Sequence, residues 1–101
     1  MSLEDLTDKI REKVAHSGAA LNARVKFDLG DDGCIFVDAT QTPATVSNDD
    51  EDADTTLVCS MDVFEKLMTG QQDPNIAFLM GKLKIQGSMG LALKLNSFLE
   101  D

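Results

Sequence analysis

The sequence predicts a single domain of the α/β class, more narrowly α+β, in which helices cover a five-stranded β-sheet. A length of 101 residues is enough for one such domain. The spacing of apolar residues switches along the chain between the helical period of about 3.6 and the strand period of 2. Glycine and proline stand where the period changes. We therefore expect residues 1–101 to form one domain with no internal linker.

The amino-terminal segment, residues 3–17, is predicted to be an amphipathic helix. Its apolar residues follow one another at steps of three and four, which places them on one face. These residues are Leu3, Leu6, Ile10 and Val14. Residues 2–5 fit a loose capping box, and Gly18 is a natural helix end.

Four strands are predicted next, because apolar and polar residues alternate. Residues 22–30 and 34–39 form a hairpin around a turn at residues 30–33. Residues 44–47 make a short third strand. A β-branched fourth strand follows at residues 55–59.

The carboxyl-terminal part is predicted to alternate helix, helix, strand and helix. Ser60 can cap a helix that begins at Met61. The pair Asp73-Pro74 is typical of a second helix start. Residues 82–86 alternate again as a fifth strand, and a last helix extends from residue 87 to about residue 99.

The charge of the chain excludes several classes of function. It holds 18 acidic and nine basic residues, a formal net charge of −9. Such a surface repels phosphate, which argues against a nucleic-acid partner and against an anchor on an anionic membrane. No apolar run reaches the ~20 residues that span a bilayer, and residues 1–5 lack the order of a signal peptide. We expect a cytoplasmic protein.

The reactive side chains form no recognisable catalytic constellation. Cys34 and Cys59 are predicted to be free, buried thiols in a reducing compartment. His16 stands alone near the end of the first helix. The acidic run at residues 48–54 lacks the ligand spacing of a calcium loop and is interpreted as a solvated turn. The sequence therefore predicts no enzyme, no cofactor and no metal.

The carboxyl-terminal helix has more apolar surface than one core contact requires. On a helical wheel its apolar residues span roughly 220°, whereas covering one face of a core needs a little over ~100°. The surplus is compatible with a helix buried on two sides or with a dimer interface. It is also compatible with a helix that has the sheet on one side and an apolar cavity on the other. Met61, Met68, Met80 and Met89 fall in this region, and methionine adapts to ligands of varied shape.

Three segments of this region resemble the sterol carrier protein 2 family. The first is residues 54–57 leading to Phe64–Gly70, which ends in Leu-Met-Thr-Gly. The second is Asp73-Pro74 followed by residues 77–85, which end in Gly-Lys-Leu-Lys-Ile. The third, residues 87–95, contains Gly-Ser-Met-Gly-Leu-Ala. The combination is far more specific than any one segment.

The resemblance covers residues 54–95, and residues 1–53 agree only in the order of their elements. It implies a mixed five-stranded sheet, helices packed on one face, and an enclosed hydrophobic tunnel. Family members bind and transfer sterols, fatty acids, acyl-coenzyme A esters and phospholipids. Carried onto this chain, the lipid-binding wall comprises Phe64, Leu67, Met68, Ile76, Phe78, Leu79, Met80, Leu83, Ile85, Met89, Leu91, Ala92, Leu95, Phe98 and Leu99. The last two rest on the helical wheel and not on a motif.

The leading hypothesis is a non-enzymatic intracellular carrier whose ligand is a fatty acid, a fatty acyl-CoA, a phospholipid or a sterol-like molecule. The alternative is an accessory interaction or dimerisation domain that supports a lipid-biosynthesis or lipid-metabolising complex. Peroxisomal members of the family end close to Ser-Lys-Leu, whereas this chain ends Leu-Glu-Asp, which favours the cytoplasm. We expect a monomer or weak homodimer that contacts membranes transiently. The physiological ligand stays open.

Overall fold

The computed structural model describes residues 2–17, 21–41 and 43–100, with Ser17 and residues 96–100 described as backbone only. The elements are α1 (Leu3–Ser17), β1 (Arg24–Asp28), β2 (Cys34–Asp38), β3 (Thr45–Ser47), β4 (Thr55–Val58), α2 (Met61–Met68), α3 (Pro74–Leu79), β5 (Lys84–Gly87) and α4 (Met89–Glu100). A 3₁₀ turn at Gly30–Asp32 joins β1 to β2. The order of helices and strands confirms the sequence prediction, although Gly18 lies outside the described residues.

The fifth strand begins two residues later than predicted, for a reason that the hydrogen bonds show. The backbone N–H groups of Lys82 and Leu83 both donate to the carbonyl of Ala77, at 2.9 and 3.2 Å. These two residues are therefore held to α3, and pairing with the sheet begins only at Lys84. The alternation of apolar and polar side chains alone does not show whether these N–H groups bond to a neighbouring strand or to α3.

The strands form one mixed sheet in the order β3-β2-β1-β4-β5. The central pair, β1 and β4, is parallel, and the other pairs are antiparallel. The predicted hairpin of β1 and β2 is confirmed, with Val25 opposite Val37. β1 and β4 run parallel, so a crossover must connect them. After β1 the chain forms β2 and β3 on one side of β1, and residues 48–54 then return across the sheet to β4 on the other side.

One face of the sheet is apolar and carries the helices. Across it, Ile35, Phe27, Leu57 and Ile85 lie in one row on neighbouring strands. The ring of Phe64 in α2 packs on that of Phe27, with centroids 5.1 Å apart. The predicted apolar face of α1 contributes to the same core through Leu6, Ile10 and Val14.

The opposite face is crossed by the acidic run between β3 and β4. Residues 48–52 are exposed, yet the run is fixed to the sheet. The ammonium of Lys26 donates to a carboxylate oxygen of Asp50 at 2.7 Å, and this bond raises the pKa of the lysine. The thiol of Cys34 lies 3.5 Å from the carbonyl oxygen of Asp49. This loop is therefore held against the sheet, and it connects β3 at the sheet edge to β4.

The start of α4 is fixed by a close approach between two backbones at Gly87. Gly87 has φ +98°, and a Cβ placed there would lie 2.4 Å from the carbonyl oxygen of Asp54. The N–H of Ser88 donates to that same oxygen at 3.0 Å. The buried hydroxyl of Thr55 donates to the carbonyl of Ser88, also at 3.0 Å. The first turn of α4 is thus bonded directly to the start of β4.

Replacing Gly87 by alanine is expected to destabilise the domain by at least about 2 kcal/mol. The new side chain meets a backbone oxygen, and the left-handed φ adds strain. Urea unfolding followed by circular dichroism measures the change. Gly90→Ala is the matched control, since nothing lies near its Cβ and it sits inside α4. Because Gly90 lies in the first turn of α4, its replacement should change the free energy of unfolding by less than about 1 kcal/mol. Equal stability of the two variants would contradict the role assigned to Gly87.

Candidate functional site

The candidate site is built where α2, α3 and α4 meet the β4–β5 side of the sheet. α4 packs against β4, β5 and α2. α2 begins at Ser60, whose hydroxyl accepts the N–H of Val63 at 3.1 Å, as the sequence predicts. Phe64 and Leu67 of α2 are fully enclosed, whereas Met68 is half-buried. Apolar side chains from different elements therefore converge here.

The six-residue helix α3 turns most of its apolar side chains outward. It begins at Asp73, whose carboxylate accepts the N–H groups of Asn75 and Ile76, with Pro74 at the first helical position. Only Pro74 and Ala77 in this helix are buried. The exposed fractions are 51% for Ile76, 43% for Phe78, 83% for Leu79 and 61% for Met80.

The helix α4 has apolar residues on an inner and an outer side. Ala92 and Leu95 are buried in the core, and Leu91 is half-buried. Met89 and Leu93, one turn apart, are 50% and 63% exposed. The apolar arc seen in the sequence is thus divided between core and surface. Leu93 was absent from the predicted site, although its spacing from Met89 places both on one side.

The residues predicted to line a tunnel fall into three groups in this structure. Packed into the core are Phe64, Leu67, Leu83, Ala92 and Leu95. Half-buried against that core are Met68, Ile85 and Leu91. Outside it are Ile76, Phe78, Leu79, Met80 and Met89. The side chains of Phe98 and Leu99 lie outside the described part of the chain. The half-buried residues pack against the core without being enclosed by it.

The two thiols of the chain are buried and are not activated as nucleophiles. Both cysteines are free and buried, as predicted. Burial raises the pKa of the Cys59 thiol to about 12, with a smaller contribution from Asp28, so this thiol stays protonated at neutral pH. Burial likewise raises the pKa of Cys34. Thiols shifted in this direction are poor nucleophiles.

The described residues contain neither a metal-binding cluster nor a membrane-spanning helix. No group of three or more His, Cys, Asp or Glu side chains there is placed to hold a metal ion. Within the same residues, no helix is both long and apolar enough to cross a bilayer. An open cleft lies at the start of α1, between Ser2, Thr7 and Asn48, and shares no residue with the predicted lipid wall.

The sequence model of the SCP-2 sterol transfer family matches residues 3–100. The chain belongs to this family. Membership extends the resemblance beyond residues 54–95 to nearly the whole length of the domain.

Named relatives carry this domain within much longer chains. Human "Sterol carrier protein 2" is 46% identical over 54 residues, which cover 54% of this chain and 10% of that protein. The "Hydroxysteroid dehydrogenase-like protein 2" of Xenopus tropicalis is 42% identical over 69 residues, which cover 66% of this chain and 16% of that protein. This SCP-2 chain thus spans only a small part of either relative.

Solved structures share the fold along nearly the whole SCP-2 domain. Sterol carrier protein 2 from Yarrowia lipolytica, in its apo form, has a TM-score of 0.75 at 25% identity, covering 94% of this chain and 84% of the other. Sterol Carrier Protein 2 Like 2 from Aedes aegypti has a TM-score of 0.79 at 17% identity, covering 96% and 95%. The mixed five-stranded sheet implied by the resemblance is confirmed. The enclosed tunnel and the lining roles stay predictions.

The division of α4 of this SCP-2 domain into an inner and an outer side is testable with two matched leucines. Leu95→Ala removes side-chain atoms from a fully buried site and should cost about 2–5 kcal/mol of unfolding free energy. Leu93→Ala removes the same atoms from the surface and should change stability by less than about 0.5 kcal/mol. Urea unfolding measures both, and a similar loss in the two variants would contradict the assignment.

Proposed function

We propose that this domain is a non-enzymatic carrier that binds one lipid at a time and transfers it between membranes. The observation that carries the proposal is the apolar surface of α3 and α4 that the core does not use. Membership of a family described as sterol transfer supports it. The proposed ligand classes are a fatty acid, a fatty acyl-CoA, a phospholipid and a sterol-like molecule.

The half-buried side chains Met68, Ile85 and Leu91 are the proposed contact for the lipid chain. They already touch the core and come from α2, β5 and α4, so a chain lying along them meets three elements. Burying a methylene group contributes about 0.8 kcal/mol, so ten give about 8 kcal/mol before the costs of association. This free energy is enough to bind the lipid without a hydrogen bond or ion pair to its polar head group.

The helix α4 is the proposed moving wall of the site. Its first turn is bonded to the sheet, since Ser88 donates to Asp54 and the Ser88 hydroxyl accepts the N–H of Leu91 at 3.2 Å. A helix fixed at its start moves most at its far end. If α4 moves away from the sheet, a lipid chain takes the place of core residues as the neighbour of its inner side. The inner side of α4 stays covered by apolar groups in both positions.

The function is tested by titrating delipidated protein with a fluorescent long-chain fatty acid. The chain has no Trp and no Tyr, so the ligand must carry the probe. Saturable binding near one ligand per chain is expected, with unlabelled fatty acids, acyl esters, phospholipid and sterol as competitors. Absence of saturable binding by the folded protein would contradict the carrier and favour an accessory interaction domain.

The position of the site is tested by placing a polar group at the proposed contact. Leu91→Gln should weaken fatty-acid binding about tenfold or more, because the amide loses its water when the chain binds. Leu3→Gln is the matched control, since Leu3 is also half-buried against the core but lies on α1. Both variants are checked for folding by circular dichroism. An equal loss of affinity in Leu91→Gln and Leu3→Gln would contradict a lipid contact at Leu91.

A further inference from the structure

The segment that joins β5 to α4 is tied to β4 by a side-chain hydroxyl. Thr55 is the first residue of β4 and is fully buried. Its Oγ1 lies 3.3 Å from the carbonyl oxygen of Gln86 and 3.0 Å from that of Ser88. Gln86 belongs to β5, and Ser88 directly precedes α4. A single hydroxyl therefore bridges the end of a strand and the start of a helix.

The bridge spans the residue at which the chain turns from β5 into α4. Gly87 lies between the two carbonyl groups and has φ +98°. Glycine has no Cβ to restrict its backbone, so the angle between strand and helix must be fixed by other groups. The backbone supplies one tie, from the N–H of Ser88 to the carbonyl of Asp54 at 3.0 Å. The tie made by Thr55 is the one that a side-chain substitution can remove.

Two of the three proposed lipid contacts stand on either side of this bridge. Ile85 comes one residue before Gln86, and Leu91 comes three residues after Ser88. Both side chains are half-buried against the core. Leu91 lies in the first turn of α4, where its N–H donates to the Ser88 hydroxyl at 3.2 Å. The angle at Gly87 therefore sets how the strand and the helix hold these two contacts relative to each other.

We propose that Thr55 is a positioning residue for lipid exchange, whose hydroxyl limits how fast a fatty acid enters and leaves the domain. The bond is present in the closed domain with or without lipid, and it breaks when α4 turns away from β5. Without it the barrier to opening is lower in both directions. This inference rests on the proposed carrier function and adds a residue that sets the rate through α4.

The bridge can be removed without leaving the start of α4 short of a hydrogen bond. The carbonyl of Ser88 also accepts the N–H of Ala92 at 3.2 Å. Gln86 is paired with Thr56 in the sheet. Valine is β-branched like threonine and suits a buried strand position. Thr55→Val therefore removes the bridge and keeps the strand and the first turn of the helix.

Stopped-flow kinetics of a fluorescent long-chain fatty acid with delipidated protein tests the proposal. Thr55→Val should raise the association and dissociation rate constants together, by about two- to tenfold, the range expected for one hydrogen bond. The Kd should stay nearly the same, because the free and the loaded domain lose the same bond. Thr55→Ser keeps the hydroxyl, so its rate constants should stay near those of the unchanged protein.

The matched control is Thr56→Val. Thr56 is the next residue of β4 and is also buried, but its side chain points to the opposite face of the sheet. This variant should leave both rate constants unchanged. Urea unfolding of all three variants measures stability separately from lipid exchange.

Several results would overturn the proposal. Unchanged rate constants in Thr55→Val would show that the bridge does not limit exchange. Equal acceleration in Thr55→Val and Thr55→Ser would show that the hydroxyl is not the cause. Equal acceleration in Thr55→Val and Thr56→Val would assign the effect to a general loss of stability. A rise in the dissociation rate constant alone would make Thr55 a ligand contact instead of a positioning residue.

Amide hydrogen exchange tests the bridge without any lipid. In Thr55→Val the amide of Ala92, which bonds to the Ser88 carbonyl, should exchange faster, while the amides of β1 stay unchanged. No change at Ala92 would overturn the positioning role. Absence of fatty-acid binding by the unchanged protein would reject the carrier and this inference together. Normal binding with unchanged rate constants in Thr55→Val would reject only the role of Thr55.

Discussion

The carboxyl-terminal half of the domain depends on the close approach of Gly87 to the backbone of Asp54. A residue without a Cβ lets β5 end against the start of β4, and the oxygen that a side chain would strike instead accepts a hydrogen bond from Ser88. This contact fixes where α4 begins. The direction of α4 then follows from Ala92 and Leu95, which pack into the core. The proposed lipid contact uses Met68, Ile85 and Leu91, which pack against that core without being enclosed by it.

Much of the fold is predictable from the sequence because the strand β1 alternates between an apolar and a polar side. On β1, charged Arg24, Lys26 and Asp28 alternate with buried Val25 and Phe27, so the period of two is visible directly. Polar caps at Ser60 and Asp73 likewise mark real helix starts. The beginning of β5 was less predictable, since Lys82 and Leu83 alternate like strand residues while their N–H groups bond to Ala77.

The candidate site was only partly predictable, for a related reason. A helix with a narrow apolar stripe can pack on the core in only one orientation. The broad apolar arc of α4 is compatible with several orientations. Nothing in the sequence alone says that Ala92 and Leu95 turn inward while Met89 and Leu93 turn outward. The short helix α3 poses the same problem, because residues 76–80 are apolar on every side.

The shortness of α3 has a consequence for local stability within the domain. Six residues are too few for a helix to be stable by itself, and this one holds to the rest of the molecule mainly through buried Pro74, Ala77 and Leu83. Such a segment belongs to the low end of the range of local unfolding free energies. Its amide protons should therefore exchange with solvent long before those of β1 and β4 in the centre of the sheet. Local unfolding of this one segment would expose Ala77 and Leu83 to solvent while the strands stay paired.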